Sequence, residues 1–176
     1  MGFYVAIEDA DFAIPETEEV LQALKDANTK YDHAKHGGSY GNGERKEKWF
    51  SWMTSDYDKT VTSVKEVFDM LGFDTHYSDI DGKQHVVIDY YDSKIGQEDI
   101  FLYVVAPWVN NNSYIAWRGE DDSHWKHIVD NGVLKIMESV TSEIIYGQPH
   151  EITFPNWDKV VEGFFKTNEN KEENNE

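Results

Sequence analysis

SYIAWRGEDDSHWKHIVDNGVLKI, residues 113 to 136, decides the fold class of this chain. Ser113 to Arg118, His124 to Val129 and the run from Val133 onward are rich in β-branched and aromatic residues, as strands are. Glu120 to Ser123 makes a polar turn between the first two, and Asn131-Gly132 supplies the positive-φ pair of a type I′ turn before the third. Three short-connected strands of this kind form an antiparallel meander.

Upstream of the meander, Ile100, Phe101, Val104, Val105 and Trp108 recur at helical spacing from Gln97 onward, and Pro107 should finish that helix near Ala106. Phe73 to Ser78 and Gln84 to Asp92 flank Asp79-Ile80-Asp81-Gly82, which is the composition of a hairpin. Val61, Val64, Phe68 and Leu71 mark another helix, with Asp58 as its N-cap and Gly72 at its end. Trp49 to Met53 reads as a short aromatic strand. Near the start, Phe3 to Glu8 reads as a strand; Pro15, Glu16, Glu18 and Glu19 suit the positive end of a helix whose apolar face is Val20, Leu21 and Leu24. At the other end, Glu151 to Phe154 predicts a short strand, followed behind Pro155 by a helix with Trp157, Val160, Val161, Phe164 and Phe165 on one face.

Strands and helices are interspersed without the regular alternation of a parallel sheet, and no internal repeat is present. The pattern predicts an α+β domain, with a mostly antiparallel sheet, helices packed on one face and a ferredoxin-like core with added C-terminal strands. One domain should span residues 1–165, with 147–165 as a C-terminal addition and 166–176 as a loose polar tail.

The chain of 176 residues is 39% hydrophobic and 14% aromatic, enough material for a core without staples. Cysteine is absent and the first residues lack a basic start followed by an apolar run, so a cytoplasmic, soluble protein is expected. No stretch approaches the roughly 18 consecutive apolar residues of a membrane span. With 34 acidic against 16 basic residues and a formal charge of -18, direct DNA binding is disfavoured.

Against that charge stands a glycine-rich basic segment. Lys35, Arg45, Lys46 and Lys48 outnumber Glu44 and Glu47 there, and the amides of Gly37, Gly38 and Ser39 could converge on an oxyanion. Tyr40, Trp49 and Trp52 could stack on a ring beside it, and Arg118 could reach over the sheet toward a ligand phosphate. Gly37 to Gly41 also fits G-x-S-x-G, but the strand-to-helix context of a nucleophile elbow is missing. His124 and His127, three apart on a strand, should face opposite sides, which argues against a shared metal; no catalytic residue, metal or cofactor is assigned.

Several of these segments together, Gly37-Gly38-Ser39-Tyr40, Glu47 to Met53, Gly96-Gln97-Glu98-Asp99, Ser113-Tyr114-Ile115, Trp117 to Asp121 and Trp125, resemble a family of small acidic proteins of bacteriophages and other mobile elements. The resemblance runs from the first residue to about Tyr146. It implies a setting, the cytoplasm of an infected host, and a role in host takeover or counter-defence by binding; it implies no mechanism and no catalytic residue. Three functions follow as expectations. The first is a sponge that sequesters a nucleotide-like anion through the glycine-rich loop. The second is an acidic mimic of nucleic acid that binds a basic host protein, and the third is a small enzyme acting on nucleotides. The sequence leaves the oligomeric state open.

Overall fold

A computed structural model gives the fold and describes residues 2–42, 44–140 and 144–163. The opening strand β1 (Tyr4–Asp11) turns Val5 and Ile7 inward, and past Phe12 the chain continues as β2 (Ala13–Pro15), an edge strand where the missing N–H of Pro15 costs no ladder bond. Helix α1 (Glu18–Lys30) begins at Thr17, whose hydroxyl accepts from the Val20 N–H, and buries Val20, Leu21, Leu24 and Ala27. A single 3₁₀ turn, Asp32–Ala34, leads into a hairpin of β3 (Gly37–Gly41) and β4 (Glu44–Trp49). The glycine-rich segment is therefore a paired ribbon and not an open loop.

The short strand expected at Trp49 to Met53 does not form. Trp49 closes β4, the Met53 N–H bonds back to the Phe50 carbonyl, and Trp52 takes the left-handed conformation with φ 70°. Helix α2 (Tyr57–Thr60) contains Asp58, so that residue is no N-cap for the helix that follows. Helix α3 (Val64–Leu71) starts at Ser63, whose hydroxyl accepts from Glu66 N–H, and ends on Gly72 at φ 99°. Glu16, expected beside the first helix, instead accepts from the N–H groups of Val64 and Lys65 at 2.7 and 3.1 Å. A carboxylate at that N-terminus meets the dipole and two orphan donors together.

Next come β5 (Asp74–Ile80), β6 (Lys83–Tyr90) and, past the buried ring of Tyr91, β7 (Asp92–Lys94). Helix α4 (Glu98–Val105) passes into a 3₁₀ turn at Ala106–Trp108, where Pro107 ends it as its ring dictates. The meander β8 (Tyr114–Gly119), β9 (His124–Asp130) and β10 (Val133–Glu138) follows, with Asn131 and Gly132 both at positive φ. A two-residue β11 (His150–Glu151) pairs with β10, so the strand expected to reach Phe154 stops early. Residues 157–163 are helical, whereas Phe164, Phe165 and the expected tail at 166–176 lie outside the described residues.

The molecule is α+β, and every strand pairing is antiparallel. The large sheet runs β11-β10-β9-β8-β1-β7, a second runs β2-β6-β5, and the hairpin β3-β4 stands apart. Ile88 N–H bonds to the Phe12 carbonyl and Ile7 N–H to the Tyr91 carbonyl, so β2 prolongs β1 while β7 prolongs β6 where the two sheets meet. The succession across this seam is β8, β1 with β2, β7 with β6, then β5. The ferredoxin-like core expected from the sequence is not confirmed: the strands divide between these sheets, and at the seam Phe12 and Tyr91 bury their rings in the core. Helices α2, α3 and α4 pack around α1. Phe50 and Phe101 meet edge to face at 5.2 Å beneath them, and the buried Tyr57 hydroxyl donates to the Leu24 carbonyl at 2.8 Å. Among the described residues no helix is long and apolar enough to cross a membrane.

Candidate functional site

Two places gather the polar residues that the sequence singles out. At the β3–β4 hairpin, Lys35 is buried; its Nζ lies 3.1 Å from Asp32 Oδ1 and 5.5 Å from the Phe50 ring centroid. Arg45 Nη2 donates to the carbonyls of Lys35 and Gly37 at 2.6 and 2.5 Å, and Nη1 lies 3.4 Å from Asp158 Oδ1. Lys48 sits between Asp32 and Asp158, 2.8 Å from each. Burial works against charge here, but hydrogen bonds from Lys48 and Lys35 hold Asp32 below the ordinary carboxylate range, and those to Asp158 and Asp32 hold Lys48 above the usual lysine value. Only Lys46 stands out in solvent, 3.8 Å from Glu44.

The glycines answer to this packing. A Cβ on Gly37 would lie 2.2 Å from Trp49 Nε1, and one on Gly38 would lie 2.9 Å from Arg45 Nε. The backbone is bare because an indole and a guanidinium lie close against it. Ser39 and Tyr40 are exposed, and Arg118 points to solvent on the face opposite Trp117, beside Tyr90. The sequence-predicted cations thus divide: Lys35, Arg45 and Lys48 converge on carboxylates and carbonyls of their own chain, and Lys46 and Arg118 join no cluster.

Gln97 ties this region to the second place. Its buried side chain donates to the Ala34 carbonyl at 2.5 Å and accepts from the N–H groups of His36 and Ser51 at 2.9 and 3.3 Å. One residue later, α4 presents Glu98 and Asp99 to a cavity of about 720 Å³. Its walls arise from register: pairing of β8 with β9 sets Trp117 opposite Trp125 and Ile115 opposite His127 on the inward face. The two indoles lie nearly parallel, 8° apart in plane with centroids 6.2 Å apart. Phe3, Val5 and Ile136 add apolar surface, and Asp122, Ser123, His124, Glu138 and Ser139 also border the space.

Burial raises Glu98 to about 7, despite hydrogen bonds from Tyr91 and Gly96. The Tyr91 hydroxyl lies 2.5 Å from Glu98 Oε1 and 2.8 Å from the Lys94 carbonyl, yet it has one proton to give. A protonated Glu98 donating to Tyr91, which in turn donates to Lys94, satisfies all three groups. Burial likewise raises Asp99 to about 6, against hydrogen bonds from the N–H of Ile100 and from its own backbone N–H. His127 is pushed down to about 4 by burial, and its Nδ1 accepts from Trp117 Nε1 at 3.1 Å, which leaves the proton of the neutral ring on Nε2. His124 Nδ1 lies 2.8 Å from Glu8 Oε2.

Trp52 belongs to this neighbourhood as well. A Cβ on Gly96 would fall 2.5 Å from its Nε1 and 2.7 Å from Glu98 Oε1, so the indole covers Gly96 beside the acid. A tryptophan at positive φ is held there against its own preference. His124 and His127 border the same cavity, but among the described residues no group of three His, Cys, Asp or Glu could hold a metal ion.

Glu98 and Asp99 carry no sequence signal beyond that of ordinary first-turn acids, and Trp117, Trp125 and His127 meet only through strand register. The detectable clue was the pair of indoles at opposed positions of a predicted hairpin, followed two residues on by a histidine on the same face. Comparison with protein-family models, curated proteins and solved structures finds no match to this chain.

Proposed function

We propose that this protein captures a small molecule in the cavity at the start of α4. The observation that carries the reading is the conjunction, in about 720 Å³, of two parallel tryptophans with the buried acid Glu98 and the half-buried Asp99. Concave, largely apolar spaces with a few converging polar groups are where small ligands bind, and buried acids with displaced pKa values cluster there. The expected nucleotide-like anion relied on Lys35, Arg45 and Lys48, whose charges are already met by Asp32 and Asp158; we therefore place the ligand at α4 and not at the hairpin. The resemblance to small acidic phage proteins supports a setting in which such capture withdraws a molecule from the host.

The test is to incubate the purified chain with cell extract, wash, release by heat and identify what was retained. Wild type should give back an unaltered small molecule, and Trp125→Ala should give back little. Equal retention by the variant overturns this placement, and a chemically converted product replaces capture with catalysis.

A second reading draws on the same charge count. With three cations turned inward, the surplus of acids dominates the outer surface, which supports docking on a basic host protein. Such an association should weaken steeply between low and high salt, unlike capture in a cavity.

A further inference from the structure

We infer that the captured molecule is a small organic cation, an ammonium or protonated amine on an apolar body. This rests on the cavity reading above and adds to it the charge of the ligand. The argument is one of missing complement. Glu98, Asp99, Asp122 and Glu138 border the space, and among the described residues no lysine or arginine does. His124, the nearest basic group, is already set against Glu8 at 2.8 Å, and His127 is a neutral ring bonded to Trp117. An anion entering here would meet these carboxyl groups, of which Asp122 and Glu138 stand in solvent and Glu138 lies 4.0 Å from His150 Nε2.

The walls make the same selection independently. Trp125, less buried than Trp117, borders the space, and an indole face carries the negative side of the ring quadrupole, which attracts a desolvated ammonium within about 6 Å and repels an anion. Phe3, Val5 and Ile136 would cover the carbon body of such a ligand. Asp99 offers the counter-ion: it borders the cavity, the hydrogen bonds it accepts come from backbone N–H groups, its own and that of Ile100, and no described lysine or arginine pairs with it. Glu98, only 5% exposed and hydrogen-bonded to Tyr91, adds a carboxyl group and no positive charge to the same wall.

Isothermal titration of the full chain with choline, spermidine, the uncharged tert-butyl analogue of choline, and AMP tests the charge directly. At least one cation should bind about tenfold or more tighter than the uncharged analogue, and AMP should be weaker still. Asp99→Asn should abolish the preference for charge while apolar binding persists. Asp122→Asn, at an exposed turn residue whose φ of 60° asparagine tolerates, should reduce that preference in a protein that still folds. If the uncharged analogue or AMP binds as tightly as the cations and Trp125→Ala removes that binding, the inference of charge is overturned while the cavity reading stands. If no compound binds and Trp125→Ala retains the extract molecule as wild type does, both fall.

Discussion

The β3–β4 hairpin and the α4 cavity each gather ionisable side chains in a sheltered place, and they balance them differently. At the hairpin every buried cation faces a carboxylate or carbonyl of the same chain: Lys35 faces Asp32, Lys48 faces Asp32 and Asp158, and Arg45 faces two carbonyls and Asp158. At the cavity four carboxyl groups share a lining with two indoles, and among the described residues that lining holds no lysine or arginine. Paired charges belong to architecture, because a bonded group has little to offer a ligand, even though the buried Arg45 Nε has no hydrogen-bond partner among the described residues. Uncompleted electrostatics are costly in a folded chain and are the better mark of a site.

The sharpest way to break this contrast is Arg45→Ala. Its side chain is 5% exposed, and its guanidinium joins the Lys35 and Gly37 carbonyls to Asp158 in the last helical segment. Removing one partner of such a buried cluster should cost about 4 kcal/mol in chemical denaturation, since two carbonyls and part of a carboxylate lose their donors. A variant as stable as wild type would mean that the hairpin cations are free for a ligand after all.

The cavity makes the opposite prediction, one that depends on pH. Glu98 holds its proton more tightly folded, at about 7, than at its ordinary 4.5, so its contribution is fully present below about 4.5 and lost as pH rises through about 7. Asp99, raised from 3.8 to about 6, acts in the same sense. His127, lowered from 6.5 to about 4, acts in the reverse sense, adding stability as pH rises through that window. Glu98→Gln removes the first of these alone. Its stability relative to wild type should therefore improve by about 3 kcal/mol between acid and mildly alkaline solution, as followed by urea midpoints across the range. A difference that stays flat with pH would show that Glu98 is not a sheltered acid.

The two regions also differ in how much of them could be read from residues alone. Local chemistry wrote the meander: Asn131-Gly132 prescribes its turn by φ preference, and the β8, β9 and β10 runs follow. The body of α3 was equally plain from Val64, Phe68 and Leu71, but its start was not. Asp58 and Ser63 are both good caps, and only the tertiary position of Glu16, which meets the N–H groups of Val64 and Lys65, favours the second. Trp49 to Met53 has strand composition, yet packing holds Trp52 at positive φ against Gly96, a constraint that lies 44 positions away along the chain. The hairpin glycines looked like a flexible cradle because the close approach of Trp49 and Arg45 is a pairwise fact that composition does not record. The cavity was least legible of all: Glu98 and Asp99 are common residues for a helix start, and their meaning comes from the indoles that the β8–β9 register sets beside them.

Asp158→Asn is the finest probe of the hairpin. The aspartate is about a third exposed, Arg45 lies 3.4 Å from one oxygen and Lys48 2.8 Å from the other, and Asp32 still serves Lys48 when Asp158 is neutral. Solvent screening and that second carboxylate reduce the loss to about 1 kcal/mol, and added salt should shrink it further. Lys46→Ala sets the floor: Lys46 is exposed and 3.8 Å from an exposed Glu44, so its replacement should change stability by less than about 0.5 kcal/mol. A graded series from Arg45 through Asp158 to Lys46 would follow the depth of each charge, as a structural lock requires. Equal, small effects at all three would instead describe a mobile basic surface, and the balance drawn between hairpin and cavity would have to be reversed.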